Sequence, residues 1–279
     1  MIISYLKNSF RRKIARRFTR EYPSKLDTFD LEEEGKIEFA NWENPLAQPI
    51  TLFQSNINFF KRFIKPGDFV IDIGANIGDT TVPMALAAGN NGLTLAFDPN
   101  PYLYKILSEN AALNKDKTNI HPYPYAISTD EEEFYFASSE ASFANGGISK
   151  ERVSQHGKFV LPEKIKGIEL FSFLKKEYPE WLSNLSFIKI DTEGYDKEIL
   201  KSISTLIKTY RPVLVAEVFR YLSEDEKREL YEVINQHKYD MYMFGEFIEN
   251  TEVQRLNHAD DIIRWENLLN LYAIPVELE

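Results

Sequence analysis

Short apolar runs and longer amphipathic stretches take turns along most of this chain. "DFVIDIG", ending at Gly74, reads as a strand, and "DTTVPMALAAG" as a helix that stops near Gly89. "LTLAFD" is a strand, "PYLYKILSENAALN" a helix and "NIHPYPYAI" a strand; "EEFYFAS" alternates like an exposed strand. "LSFIKID" is a buried strand and "YDKEILKSISTLI" a helix. "PVLVAEV" is a strand and "SEDEKRELYEVINQH" a helix, with Ser223 as N-cap and Glu226 completing a capping box. "YDMYMF" and "NLYAIPV" read as the last two strands, joined by a long loop. They are expected to form an antiparallel hairpin at one sheet edge.

Strand and helix in turn indicate a mostly parallel α/β sheet covered on both faces. No internal repeat is visible. The polar, glycine-containing stretch 138–168 is too long for a plain connection and is expected to be a substrate loop or lid. Residues 1–58 carry no motif and are expected to form a helical and extended extension. Residues 59–279 are the expected main domain.

Composition changes this picture little. The chain has 279 residues, 43% hydrophobic and 27% charged, as in ordinary globular proteins. It contains no cysteine, which excludes thiolate zinc sites and a cysteine nucleophile. No apolar run approaches the ~20 residues of a membrane span, and the first twenty residues lack the apolar core of a secretory signal. The expected location is cytoplasmic.

Charge is placed unevenly. Lys7, Arg11, Arg12, Lys13, Arg16, Arg17 and Arg20 meet no acid within residues 1–20, which leaves 26 bases against 43 acids elsewhere. A body this acidic repels nucleic acid. The basic segment reads as a helix with Ile3, Leu6, Phe10, Ile14 and Phe18 along one stripe. It is either a foot on an anionic membrane surface or acidic partner, or a helix packed on its own domain. The oligomeric state is not readable.

The turn after the first strand carries chemistry. Open α/β sheets bind ligands at the carboxyl ends of their strands. The dinucleotide fingerprint is G-x-G-x-x-G; here the spacing is Asp72-x-Gly74-x-Asn76-x-Gly78, with Ala75 inside it. A carboxylate at the strand tip repels a pyrophosphate but suits ammonium and sulfonium charges. Asn76 tolerates a positive φ. The pattern matches S-adenosylmethionine (SAM) better than NAD. The alternative is a tight turn that holds nothing.

Asp98 ends the next strand, where a carboxylate can accept both hydroxyls of a ribose, and Pro99 and Asn100 turn the chain beside it. Asp191 ends the strand of "FIKIDTEGYDKEIL", with Glu193 two residues on and Glu217 at the tip of the following strand. These acids are the candidate catalytic end. In structural terms Glu193 could simply cap a helix.

Together "FVIDIGANIGDTT", "AFDPNP", "AIS" at 126–128 and "IKIDTEGYDKEIL" resemble the successive motifs of the FkbM family of SAM-dependent methyltransferases. The resemblance runs from about Phe59 to Glu217, and "NLYAIP" resembles the family's closing strand. Asp98 stands where a glutamate is more usual. The resemblance implies a seven-stranded class I methyltransferase fold (Rossmann-like) and O-methylation, with sugars and polyketide-type metabolites among the acceptors. It implies cofactor contacts from Asp72, Gly74, Ala75, Asn76, Gly78, Asp98, Pro99, Asn100 and Ala126.

A sugar hydroxyl needs a general base or a metal to become a nucleophile. Asp191, Glu193 and Glu217 could supply a base, or hold Mg²⁺ through oxygen ligands; a metal requirement is not readable. His156 in the long loop is a reserve base, and Asn145, Gly146 and Gly147 either approach a substrate or make a turn. Two other classes stay open: a nicotinamide oxidoreductase, and a SAM-fold module without catalysis.

Overall fold

A computed structural model describes residues 2–152, 156–264 and 269–278. The chain opens with α1 (Ile2–Ala15) and a hairpin of β1 (Ser24–Leu31) and β2 (Gly35–Trp42), then α2 (Gln54–Lys61). The first alternating block is β3 (Phe69–Ile73), α3 (Thr81–Ala88), β4 (Leu93–Phe97), α4 (Pro101–Ala112) and β5 (Ile120–Tyr123). A small second sheet follows, from β6 (Ala126–Ile127), β7 (Glu132–Ser138), β8 (Gly147–Ser149), β9 (Phe159–Val160) and β10 (Ile165–Ile168). The main sheet resumes with α5 (Leu170–Glu177), β11 (Leu185–Ile190), α6 (Asp196–Ser202), α7 (Ser204–Tyr210), β12 (Val213–Glu217) and α8 (Glu224–Asn235). Last come β13 (Tyr239–Phe244), β14 (Val253–Leu256), α9 (Asp261–Arg264) and β15 (Asn270–Pro275).

The main sheet has the order β14-β13-β15-β12-β11-β3-β4-β5. The five strands from β12 to β5 pair in parallel, and β15 runs antiparallel between β12 and β13. This is the Rossmann-like sheet with an antiparallel edge that the resemblance implies. An eighth strand, β14, extends the expected seven. It comes from the long loop between β13 and β15, where "VQRL" is too short and mixed to declare itself. β3, the first strand of this sheet, lies inside it. The chain runs outward to β5 and returns on the other side to β11, so the order switches beside β3 and leaves a crevice there.

Burial explains the strands. Every residue of β3 and β4 is buried, as the continuous apolar runs require of strands covered on both faces. Gly89 takes φ 70° and stops α3 where expected, and Ser223 with Glu226 forms the capping box of α8.

Some boundaries move. "NIHPYPYAI" divides into β5 and β6, which belong to different sheets. Pro124, between them, has no N–H to continue the ladder. "YDKEILKSISTLI" divides into α6 and α7 at Ile203, whose ψ of 13° departs from the helix. Short pieces of the 138–168 stretch join the small sheet as β8, β9 and β10; residues 153–155 lie outside the described ones.

The boundary expected at residue 58 falls inside α2, whose Phe59 and Phe60 are fully buried in an aromatic cluster with Phe187 and Phe244. The β1–β2 hairpin likewise shares a core with α3 and α4: Ile37 and Phe39 pack with Val82, Ile106 and Leu107. Asn110 of α4 treats β2 as a neighbouring strand would. Its Oδ1 accepts the Ala40 N–H at 2.7 Å and its Nδ2 donates to the Ala40 carbonyl at 3.0 Å. The same Nδ2 reaches the Ile77 carbonyl at 2.7 Å, which ties the hairpin to the turn after β3.

Candidate active site

Three strand tips meet at the crevice. At the first, the Gly74 and Ala75 N–H groups both donate to the Phe97 carbonyl, at 2.9 and 3.0 Å. Gly74 has φ 76° and Asn76 φ 52°, so the middle position takes the left-handed conformation that its asparagine allows. A Cβ on Gly74 would lie 1.8 Å from the Asp191 carbonyl oxygen. Glycine is needed here because the tip of β11 presses on the turn.

Asp72 sits beneath this turn and is fully buried. One carboxylate oxygen accepts the hydroxyls of Thr80 (3.0 Å) and Thr81 (2.6 Å), and the other accepts Lys189 Nζ at 3.1 Å. The sequence reading has Asp72 facing the charges of a cofactor. Instead it is committed to partners inside the protein and does not line the crevice; Ala75 and Gly78 do not line it either. Gly78 packs against Leu107 of α4.

Lys189 and Asp79 are cavity-lining residues that the sequence reading omits. Lys189 is 2% exposed, with Nζ also 3.4 Å from the Asp191 carboxylate and 3.4 Å from the Gly74 carbonyl. Burial pulls its pKa down, but Asp72, Asp191 and Asp79 outweigh burial and raise it, so the ammonium stays charged. Asp79 stands on the crevice wall; burial, opposed by Lys189 and reinforced by Asp72, lifts its carboxyl to about 6.

At the second tip, Asp98 receives the Asn76 N–H on one oxygen (2.8 Å) and the Asn100 N–H on the other (2.9 Å). It is 6% exposed, and burial, despite these two bonds, pushes its carboxyl up to about 7. Each oxygen retains a further acceptor site for a ligand. Asn100 caps α4 through the Tyr102 N–H and donates its amide to the Phe143 carbonyl at 2.8 Å, which fastens the 138–148 segment over the crevice.

At the third tip, Glu193 has φ 52° and Gly194 φ 101°. Left-handed glutamate is uncommon and calls for an outside hold. Asp196 supplies it. Its Oδ2 accepts the Thr192 N–H (3.3 Å), the Thr192 hydroxyl (3.0 Å) and the Gly194 N–H (3.3 Å), while Oδ1 accepts the Glu217 N–H (3.3 Å). Burial first, then the charge of Asp191, raises Asp196 to about 7.

Glu193 is exposed at the rim, yet the protein around its carboxyl raises its pKa and Asp191 adds to this. Glu217 lies behind the crevice wall, with Oε2 buried and without a hydrogen-bond partner among the described residues. Burial, then Asp191, Asp196 and Glu193, pushes it to about 8.

Gly74, Asn76, Asp98, Pro99, Asn100, Ala126, Asp191 and Glu193 line one cavity. So do Asn145, Gly146 and Gly147, and the apolar side chains of Leu103, Tyr125, Ile127 and Ile148. His156 is not on the wall; its ring packs on Gly147, where a Cβ would come within 2.6 Å of it. The sequence leaves Mg²⁺ open. Among the described residues no group of three or more histidines or acids converges to hold a metal ion. A fixed lysine stands between Asp72 and Asp191 instead.

A Rossmann-like sheet with the antiparallel β15 set between β12 and β13, and a cavity across these tips, is the arrangement of the methyltransferase class of α/β proteins. The sequence model for the methyltransferase FkbM domain matches residues 72–254, and the chain belongs to that family. Methyltransferase sdnD of Sordaria araneosa is 24% identical over 188 residues, which is 57% of this chain and 72% of sdnD. Hexuronic acid methyltransferase AglP of Haloferax volcanii is 24% identical over 196 residues, 70% of this chain and 69% of AglP. The crystal structure of methyltransferase FkbM from Methylobacillus flagellatus KT aligns with a TM-score of 0.46 at 14% identity. That alignment covers 76% of this chain and 44% of that one. Among the described residues no helix is long and apolar enough to cross a membrane.

Proposed function

We propose that this chain is a SAM-dependent O-methyltransferase whose acceptor is a hydroxyl of a sugar, a glycan or a related small metabolite. The carrying observation is the single cavity that joins the Asp98 carboxylate at one tip to Asp191 and Glu193 at another. Its walls suit SAM. Asp98 has acceptor sites for two ribose hydroxyls, Leu103, Tyr125 and Ile127 give a flat base apolar surface, and Asp79 offers negative charge to an ammonium group. The same acids disfavour the pyrophosphate of a nicotinamide dinucleotide. Similarity to a hexuronic acid methyltransferase supports a sugar-like acceptor.

When bound, SAM supplies an electrophilic methyl group. The chain's own work is to align an acceptor hydroxyl and remove its proton. Glu193 is placed for the proton: it is at the cavity rim, and its raised pKa makes it a stronger base than a free carboxylate. Asp191 is held by Lys189 and orients the acceptor. Glu217 is pushed up to about 8, mainly by burial, and it meets the third tip through its backbone N–H, which donates to Asp196.

Calorimetry with SAM, S-adenosylhomocysteine and NAD tests the cofactor. Binding of the first two and not the third is expected; NAD binding alone would overturn the proposal. Turnover of a panel of sugar and polyol acceptors, read by mass, then tests the chemistry and excludes an inactive binding module.

A further inference from the structure

We infer that α1 and the segment to Arg20 form a foot for an anionic lipid bilayer, independently of the reaction proposed above. The observation is which side of the helix the body uses. Ala15 is fully buried against the hairpin core, whereas Phe10 is 64% exposed. At about 100° per residue these two positions lie on nearly opposite sides of a helix. Ile3 and Leu6, which the sequence pattern puts on the same stripe as Phe10, have side chains outside the described ones. Ile14, at the stripe's end, is half-buried, and Phe18, past the helix, is again 64% exposed. Among the described side chains of the stripe, Phe10 and Phe18 therefore point away from the domain that would otherwise cover them.

The charge pattern names the occupant. Lys13 lies on one side of the stripe and Arg11 on the other, and residues 1–20 contain no acid. Arg11, Arg12, Lys13 and Arg17 reach no carboxylate among the described residues; Arg16 pairs with Glu140 at 3.4 Å. An apolar ridge edged by long basic side chains matches the interface of an anionic membrane, where rings sink and bases stay with the headgroups. An acidic protein surface would match the bases but leave Phe10 and Phe18 unused. The foot also meets the cavity wall: the Ala141 N–H donates to the Arg16 carbonyl at 3.3 Å, just before Ala144 to Ile148 on that wall.

The test is sedimentation of the full chain with vesicles of phosphatidylcholine alone and of phosphatidylcholine mixed with phosphatidylglycerol. Binding to the mixed vesicles only is expected. It should weaken on the order of fivefold for each of Lys13→Gln and Arg17→Gln. It should also weaken as salt approaches about 1 M, where the Debye length is about 3 Å. Phe10→Ser with Phe18→Ser should cut binding at least tenfold at unchanged charge, with the melting curve unchanged because both rings are in solvent. Three outcomes overturn the inference: no sedimentation of the parent with mixed vesicles; sedimentation indifferent to the two phenylalanines; or a dimer in ultracentrifugation that needs those phenylalanines, which would assign the ridge to a second copy.

Discussion

Lys189 Nζ stands 3.1 Å from the Asp72 carboxylate, and neither side chain meets solvent. The pair joins two strands that are hydrogen-bonded neighbours, β3 and β11, below the tips that form the site. Asp72 thus steadies the turn from beneath, and Lys189 passes that support on to Asp191.

Removing one partner should therefore be costly. Lys189→Met leaves Asp72 buried with two hydroxyl donors and no countercharge. The expected loss is about 3–5 kcal/mol of folding stability, as for a broken buried pair. Asp72→Asn combined with Lys189→Met should recover a large part of it. Urea unfolding of the three proteins measures both values. An unchanged midpoint in Lys189→Met would show that the pair carries no weight.

Asp98 is expected to matter twice. Asp98→Asn presents an amide to two backbone N–H donors, so one of them loses its acceptor, at about 1–3 kcal/mol of stability. SAM affinity should fall at least tenfold. The raised pKa adds a pH dependence. Hydroxyl donors favour the carboxylate, so the proton held near pH 7 must leave when SAM binds. Affinity should rise as pH increases through about 7 and level off above it. Calorimetry in buffers of different ionisation enthalpy should show proton release near pH 7 in the parent and none in Asp98→Asn.

Much of this was legible in sequence for a simple reason. β3 and β4 are buried throughout and β11 nearly so, and each is a short, mainly apolar run with an acid near its end: Asp72 one residue before the end of β3, Asp98 and Asp191 just after β4 and β11. What the pattern does not show is where those acids turn. Asp72 looks inward because Thr80, Thr81 and Lys189 wait there, one of them 117 residues away. The lysine in "FIKID" is the signal that could have revealed it, since a charge inside a buried strand demands a partner. Asp196 reads as an ordinary first-turn acid, and only the positive φ of Glu193 explains why it faces back into the loop. The hairpin of residues 24–42 is not announced by a clean alternation, and its docking depends on Asn110, 70 residues from Ala40.

Gly74 and Gly89 both have positive φ, and comparing them separates conformation from contact. A Cβ on Gly89 meets nothing within 4 Å, so Gly89→Ala should cost only the backbone strain of φ 70°, ψ 173°, a region used almost only by glycine, about 1–3 kcal/mol. A Cβ on Gly74 would overlap the Asp191 carbonyl, so Gly74→Ala must displace the tip of β11. It should lose more stability than Gly89→Ala and should abolish SAM binding, which Gly89→Ala retains. Equal melting shifts and equal affinities for the two would show that the approach to Asp191 is not a constraint.

Glu193 and Glu217 are expected to part company although both carry raised pKa values. Glu193 lines the cavity at its rim; Glu217 lies behind the wall with a buried unpartnered oxygen. With Glu193 as the proposed base, Glu193→Gln removes the charge while keeping the shape, so kcat should fall about 10²–10⁴-fold with SAM affinity unchanged. Glu217→Gln should stay within about tenfold of the parental rate, well short of the loss of a base. Its effect belongs to stability. A carboxyl lifted from 4.5 to about 8 in the folded protein favours folding fully below pH 4.5, and that contribution is lost as pH rises through 8. Glu217→Gln should therefore flatten the fall in stability across this window and be relatively more stable than the parent at pH 9. Urea midpoints for the two proteins between pH 4.5 and 9 measure this, beside initial rates at pH 7. If Glu217→Gln instead loses about 10²-fold in rate and Glu193→Gln does not, the proton passes to Glu217. The assignment at the third strand tip is then reversed.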